Sequence, residues 1–189
     1  MTLGKVLTRF QSTKGNDVVI RYTKWEDLDD MLAYANALSK EDTFVELSGE
    51  KLTRNVEIKY LGDLIQDMEK GEAVCLVAIV NGKYAGSSEI HRGVRRKKHV
   101  GMIGISLSAA FREEGIGSKL LEAIIGEGKK MDLRLLAMNC FDVNTRALHV
   151  YEKLGFRKAG LLPAAYAYKG KYHGEYTLYL PLKDSEKNV

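Results

Sequence analysis

A predicted β-hairpin in the middle of the chain constrains the fold more than any other feature of the sequence. Two runs with the composition of β-strands, residues 74–80 and 84–91, are separated by Asn81-Gly82. An Asn-Gly pair between such runs is the strongest short-range signal for a hairpin, because both residues tolerate the positive φ angles of a tight turn. A third strand-like run, residues 100–107, follows a basic turn at residues 92–98. The sequence therefore predicts a meander of three strands.

The other predicted elements place helices around this meander. The periodicity predicts a strand over residues 18–22, a helix over 26–38, a second helix ending near 69, a third helix opened by the turn at 112–118, a strand over 133–140, a helix over 145–154, and strands near 164–168 and 172–180. The order β-α-α-β-β-β-α-β-α-β-β predicts an α/β (α+β) fold with a mixed, mostly antiparallel central sheet flanked by helices. At 189 residues we expect a single domain, with loose ends at 1–17 and 183–189.

Composition excludes several classes of protein. Hydrophobic residues make up 45% and charged residues 29%, which is typical of a globular protein. Lys and Arg number 29 and Asp and Glu 25, and the net charge of +4 permits an anionic ligand but does not indicate a nucleic-acid binder. The two cysteines form neither a disulfide framework nor a zinc motif, so we expect a reducing compartment and no metal. No apolar run approaches the roughly 20 residues of a membrane helix, so we expect a cytoplasmic protein without a membrane partner.

A glycine-rich turn between the third meander strand and the next helix is the sharpest candidate site. It reads Arg-Glu-Glu-Gly-Ile-Gly-Ser over residues 112–118. The start of a helix exposes unpaired N–H groups and the positive end of its dipole, and glycine lets a ligand approach the backbone closely. The natural occupant is an anion, and we expect a pyrophosphate, although Gly115 and Gly117 would also serve a tight turn alone.

Two well-known phosphate loops do not match this turn. Leu120 stands where the dinucleotide-binding pattern requires its third glycine, and Ser118 follows Gly117 where a P-loop requires lysine. The backbone N–H groups would therefore be the main phosphate ligands, with Arg112 or Lys119 adding charge.

A second segment strengthens the interpretation. The pattern Asn-x-x-Ala-x-x-x-Tyr-x-x-x-Gly-Phe begins at Asn144, a candidate helix cap, and places Tyr151 on an apolar helix face, where it could be packing alone. Together with Arg-x-x-Gly-x-Gly from Arg112, in this order and spacing, it resembles the GNAT superfamily of acyl-CoA N-acyltransferases over roughly residues 74–180.

The resemblance implies roles for individual residues. Acetyl-CoA would be the co-substrate, and its pantetheine arm would pair with the strand residues Ile105, Ser106 and Leu107. A backbone N–H near Leu107 would polarise the thioester carbonyl. Asn144 would touch the arm, and the phenol of Tyr151 would protonate the departing thiolate. The pyrophosphate would rest on the loop formed by Glu113, Glu114, Gly115, Ile116, Gly117 and Ser118.

The chemistry favours direct transfer from the thioester to the amine. Two substrates held together need no covalent enzyme intermediate, since positioning alone supplies roughly 7–11 kcal/mol. Cys140 lies in an apolar strand, and no histidine stands nearby in the sequence at a spacing that would let it activate the thiol. This is typical of a small core residue and not of a nucleophile.

Three candidates remain for the general base. Glu89, on the strand before the motif strand, is the first, His91 is the second, and water is the third. An exposed strand residue without a role is an equally good interpretation of Glu89. Further candidates for the amine pocket are Tyr166, Tyr168, His173, Glu175 and the segment 42–46.

The predicted function is an acetyl-CoA-dependent N-acetyltransferase acting on a primary amine. The end of the chain, residues 168–176, resembles that of small-molecule and amino-acid acetyltransferases, so the expected acceptor is a small amine or an amino acid. The alternatives are a protein N-terminal acetyltransferase, a non-catalytic CoA-binding sensor module and, last, an RNA-associated protein that uses the basic turn. Dimers are frequent in this superfamily, so a homodimer is an expectation by analogy.

Overall fold

The computed structural model describes residues 2–183. In this part of the chain, eight strands form one sheet in the order β1-β2-β3-β4-β5-β6-β8-β7, and four α-helices pack on it. The elements are β1 (Val6–Gln11), β2 (Asp17–Tyr22), α1 (Leu28–Glu41), α2 (Arg54–Glu69), β3 (Ala73–Val80), β4 (Lys83–Arg92), β5 (Val100–Leu107), α3 (Ile116–Lys130), β6 (Leu135–Phe141), α4 (Thr145–Lys153), β7 (Arg157–Tyr168) and β8 (Lys171–Pro181). The predicted fold class is confirmed, and the predicted meander is β3-β4-β5.

The prediction that residues 1–17 are loose is wrong for residues 6–11. These residues form β1, which pairs antiparallel with β2 at the edge of the sheet. The strand was missed because an edge strand packs few side chains: only Leu7 and Phe10 of β1 reach the core, and both stay partly exposed. At the other end, Lys183 contacts Asp132, and residues 184–189 lie outside the described residues.

The last hairpin is longer than predicted. β7 begins at Arg157, whereas the sequence pattern predicts a start near residue 164. Its pairing with β8 is irregular between Leu162 and Tyr166, where Ala164 takes a positive φ of 55°. Pro163 interrupts the strand pattern at this point, which an edge strand tolerates because its outer N–H groups need no ladder partner.

The core lies on both faces of β3. Six consecutive side chains of this strand, from Ala73 to Ala78, are fully buried. Because successive side chains point to opposite faces, both faces must be covered. α2 contributes Leu61, Leu64, Ile65 and Met68 to the core, and α3 contributes Ile116, Leu120, Leu121 and Ile124.

The sheet opens between β5 and β6. These two strands run parallel and pair only from Val100–Leu135 to Met102–Ala137, after which β5 continues along β4 and β6 along β8. A register irregularity in β4 lies beside the far end of β5. A Cβ at Gly86 would stand 2.3 Å from the carbonyl oxygen of Ser106, so only glycine permits this approach. The resulting split contains the candidate site.

Candidate active site

Two adjoining cavities fill the split in the sheet. A groove of about 660 Å³ runs along the end of β5, the start of α3 and one side of α4. A second cavity of about 470 Å³, which we call the acceptor pocket, lies between the diverging strands β5 and β6. The residues that line both are Phe44, Val45, Ile105, Ser106, Asn144 and Tyr151.

The start of α3 presents unpaired N–H groups beside the groove. Gly115 is the N-cap in the left-handed conformation, with φ 76°, and no side chain caps this end. The first helical hydrogen bond runs from Lys119 N to the Gly115 carbonyl, at 3.2 Å. The N–H groups of Ile116, Gly117 and Ser118 therefore have no acceptor within the helix, and the positive end of the dipole lies here. Gly115, Gly117 and Ser118, three of the residues predicted to hold the pyrophosphate, line the groove.

Two predicted cofactor residues, Glu114 and Ile116, have side chains outside the groove. Ile116 is buried in the core. The carboxylate of Glu114 is buried and accepts hydrogen bonds from Ser12 Oγ and Asn16 Nδ2, each at 2.7 Å. The Glu114 carbonyl also accepts from the N–H of Thr13, at 3.2 Å. The side chain of Glu114 thus fastens the glycine-rich turn to the β1–β2 hairpin, and only its backbone is available to a ligand.

We expect Glu114→Gln to lower the thermal midpoint at pH 7. A neutral amide oxygen accepts weaker hydrogen bonds from Ser12 and Asn16, which both donate to Oε2, and the amide NH₂ would face Lys14 Nζ, which lies 3.4 Å from Oε1. The hydrogen bonds from Ser12 and Asn16 hold the pKa of Glu114 below its ordinary value of 4.5. A lowered pKa stabilises the folded protein above pH 4.5, and this contribution is lost as the pH falls through the folded-state pKa. The difference in midpoint between wild type and variant should therefore shrink in acid, which thermal unfolding at several pH values measures.

The matched control is Glu113→Gln at the neighbouring position. Glu113 is exposed and makes a 2.7 Å ion pair with Arg146, a kind of pair that contributes little to stability. Equal losses for the two variants, or a difference that does not depend on pH, would contradict the anchoring role of Glu114.

Ion pairs connect the turn to the helices on either side. Arg112 Nε donates to the carbonyl of Leu107 at 2.9 Å, and its guanidinium pairs with Glu41 at the end of α1. Glu113 and Arg146 join the turn to α4. Arg112 and Glu113 both line the groove, but each already holds a partner of opposite charge.

The end of β5 forms the other wall of the groove. Ile105, Ser106 and Leu107 line it, beyond the last residue that pairs with β6. Ser106 Oγ accepts a hydrogen bond from Tyr34 Oη of α1 at 2.9 Å, which fixes this part of the strand against the helix. An extended chain can pair with such a strand end as an added strand.

Tyr151 lies where the two cavities meet. Asn144 caps α4, since its Oδ1 accepts from Ala147 N at 3.3 Å, and this confirms the predicted cap. Tyr151 is on the buried face of α4, with its ring 6.1 Å from that of Phe156. Burial raises the pKa of the Tyr151 phenol above its ordinary value, so the hydroxyl is protonated at neutral pH and can donate a proton.

Glu89 lines the acceptor pocket, and hydrogen bonds from two neighbouring side chains hold its carboxylate in place. Tyr60 Oη of α2 donates to it, with distances of 2.6 and 2.7 Å to the two oxygens, and His91 Nε2 lies 3.0 Å from Oε2. The Glu89 side chain is 15% exposed and that of His91 48%. The hydrogen bond to Glu89 raises the pKa of His91. The two predicted base candidates therefore form one chain from the pocket to solvent, in which only Glu89 lines the pocket.

Aromatic rings form the wall of the pocket opposite Glu89. The rings of Phe141 and Tyr166 stack with centroids 3.7 Å apart, and Phe44 lies 5.6 Å from Phe141. The predicted wall segment 42–46 contributes Phe44, Val45 and Glu46 to the pocket, whereas Asp42 lies outside it. Of the other candidates only Tyr166 lines the pocket; Tyr168, His173 and Glu175 lie outside its lining, and Glu175 accepts a hydrogen bond from the Tyr166 hydroxyl.

Cys140 lines the pocket as a protonated thiol. Its Sγ donates to the carbonyl of Phe141 at 3.5 Å, and burial raises its pKa to about 11. A thiol is a poor nucleophile in this form, which agrees with the interpretation of Cys140 as a packing residue.

Metal-binding clusters and membrane spans are both missing from residues 2–183. No group of three or more His, Cys, Asp or Glu side chains there is placed to hold a metal ion. None of the helices described is long and apolar enough to span a membrane.

Several supporting residues carry no signal in the sequence. Tyr60 holds Glu89, Tyr34 holds Ser106, and Glu41 holds Arg112. Each partner lies 29 or more residues away along the chain, and 71 or more in the last two pairs, so only the tertiary fold brings them together.

Comparison with known proteins places this architecture among acetyltransferases. A sequence model described as Acetyltransferase (GNAT) family matches residues 38–156. A GNAT-family acetyltransferase from Streptococcus pneumoniae is 28% identical, with a TM-score of 0.79 over 87% of this chain and 99% of that one. A ribosomal-protein-alanine N-acetyltransferase from Brucella melitensis is 21% identical (TM-score 0.77, 86% and 99% covered). YncA, a putative acetyltransferase from Salmonella typhimurium solved with its cofactor acetyl-CoA, is 16% identical (TM-score 0.78, 88% and 95% covered).

Proposed function

The chain belongs to the GNAT acetyltransferase family, and from this premise we propose that it transfers the acetyl group of acetyl-CoA directly to a primary amine. The observation that carries the proposal is the position of Tyr151, a buried and protonated phenol at the junction of the groove and the acceptor pocket. A donor thioester from one cavity and an acceptor nitrogen from the other would meet beside this hydroxyl.

The groove suits acetyl-CoA in both charge and shape. The uncapped N–H groups at the start of α3 would bind the pyrophosphate, because aligned backbone donors and the helix dipole favour a negative charge. The pantetheine arm would lie along Ile105 to Leu107, with Asn144 beside it. A backbone N–H near Leu107 would then polarise the thioester carbonyl. That YncA, of the same fold, was solved with acetyl-CoA supports this arrangement.

The proton transfers follow from the two side chains in the pocket. An amine has to lose a proton to attack, and Glu89 would take that proton and pass it to His91 and solvent. The nitrogen forms its bond to the carbonyl carbon, the carbon–sulfur bond breaks, and Tyr151 gives its proton to the sulfur. The second proton that the nitrogen loses as the amide forms then returns to the Tyr151 oxygen, directly or through solvent, and restores the hydroxyl. Positioning of the two substrates in one complex replaces a covalent enzyme intermediate.

Release of free CoA thiol against a panel of amines tests this function. Acetyl-CoA alone is the control for simple hydrolysis. We expect steady release with at least one amine and only slow release without any. Acetyl-CoA binding without amine-dependent release would favour the sensor module, and acetylation of peptide N-termini alone would favour the protein N-terminal acetyltransferase. A cytoplasmic location and a homodimer remain predictions.

A further inference from the structure

The acceptor pocket carries charge of one sign only. Among the described residues that line it, the acidic side chains are Glu46 and Glu89, and no Lys, Arg or His is present. Lys158 lies near Cys140 in the pocket wall, close enough for its charge to affect the thiol. Its Nζ pairs with Glu152 at 2.9 Å, and Lys158 does not line the pocket. The pocket therefore attracts cations, and its described lining offers a carboxylate no positively charged side chain.

The aromatic wall adds to this preference near Glu46. Phe44 precedes Glu46 by two residues and packs against Phe141, which stacks on Tyr166. The faces of such rings attract ammonium groups, most strongly where water is excluded. The hydroxyl of Tyr166 is turned to Glu175, so a third carboxylate stands behind this wall.

Resting on the proposed function, we propose that the acceptor is a dicationic amine without a carboxylate, of the aliphatic diamine class. One nitrogen reacts beside Glu89, and the second ammonium is held by Glu46 and the partly exposed rings of Phe44 and Tyr166, with Phe141 buried between them. An α-amino acid of the same length is disfavoured, because its carboxylate would lose water beside two negative charges without gaining a positive partner. The charge of the acceptor's second group, ammonium or carboxylate, thus decides which amine the pocket accepts.

Three acceptors built on the same five-carbon amine chain test the proposal: cadaverine, pentylamine and lysine, which is cadaverine with a carboxylate added. We expect kcat/KM to be at least about tenfold higher for cadaverine than for lysine, since like charges brought together in a binding site are strongly unfavourable. Cadaverine should exceed pentylamine about three- to fivefold, the upper part of the range of an exposed ion pair, and this advantage should fade at high salt.

The variant Glu46→Gln separates the two nitrogens. It should remove the advantage of cadaverine over pentylamine, so that the ratio of the two kcat/KM values falls to about one whatever the variant does to pentylamine alone. Glu69→Gln is the matched control, since Glu69 is exposed at the end of α2 and lines neither cavity. Retained acetyl-CoA binding verifies that each variant is folded.

Three results would overturn the inference. They are lysine acetylated as well as cadaverine, an advantage of cadaverine that survives Glu46→Gln, and preferential acetylation of a peptide N-terminus. In each of these the protein still acetylates an amine, so the proposed function stands. If no amine releases CoA, both the function and the acceptor class fail.

Discussion

Replacing Tyr151 by Phe is expected to lower kcat about 100-fold, the contribution typical of a positioned general acid. The departing thiolate would then have to take its proton from water. The ring stays in place on α4, so the dissociation constant for acetyl-CoA should hardly change. Steady-state kinetics with a saturating amine and calorimetric titration of acetyl-CoA measure the two quantities separately.

Tyr179→Phe is the matched control for this experiment. Tyr179 lies on β8 and lines neither cavity, so loss of its hydroxyl should leave kcat intact. Unchanged turnover in Tyr151→Phe would exclude the acid role. A parallel loss of acetyl-CoA affinity would show that the hydroxyl acts in binding instead.

Replacing Glu89 by Gln is expected to have an effect of similar size, with kcat near neutral pH lowered about 100-fold. The amide oxygen can still accept the hydrogen bond from Tyr60, so the local structure should persist. The loss should diminish as the pH rises toward the amine pKa of about 10, because the free amine then no longer needs a base. A pH–rate profile of variant and wild type measures this recovery.

Glu57→Gln is the matched control, since Glu57 is a buried carboxyl near Glu89 that lines neither cavity. Burial and the nearby Glu89 raise the pKa of Glu57, so the folded protein loses little when a neutral glutamine replaces this carboxyl. Most of the rate should therefore survive. If Glu89→Gln retained full activity at neutral pH, water or His91 would be the base.

The features that the sequence predicts are those set by residues close together along the chain. The Asn81-Gly82 turn, the glycine-rich turn at 112–118 that opens a helix, and the Asn144 cap each depend on residues close in sequence, and all three stand where the sequence places them. The strands β5 and β6, which line the site, and the helices α3 and α4 lie next to these local signals in the sequence. The same locality predicts Tyr151 on the buried face of α4.

Long-range contacts explain what the sequence does not predict. Glu114 belongs to the glycine-rich turn by sequence, yet its carboxylate is used by Ser12 and Asn16, about 100 residues earlier. The edge strand β1 carries too few buried side chains to give a pattern. The site residues that hold others in place, Tyr60 among them, become recognisable only when α2 packs beside β4.

The structure of the complex with CoA tests the proposed mode of cofactor binding most directly. We expect diphosphate oxygens within hydrogen-bonding distance of the N–H groups of Gly117 and Ser118, and the sulfur beside the hydroxyl of Tyr151. A coenzyme bound with its diphosphate away from the start of α3, or with its sulfur outside the junction of the two cavities, would contradict the proposed function at its centre.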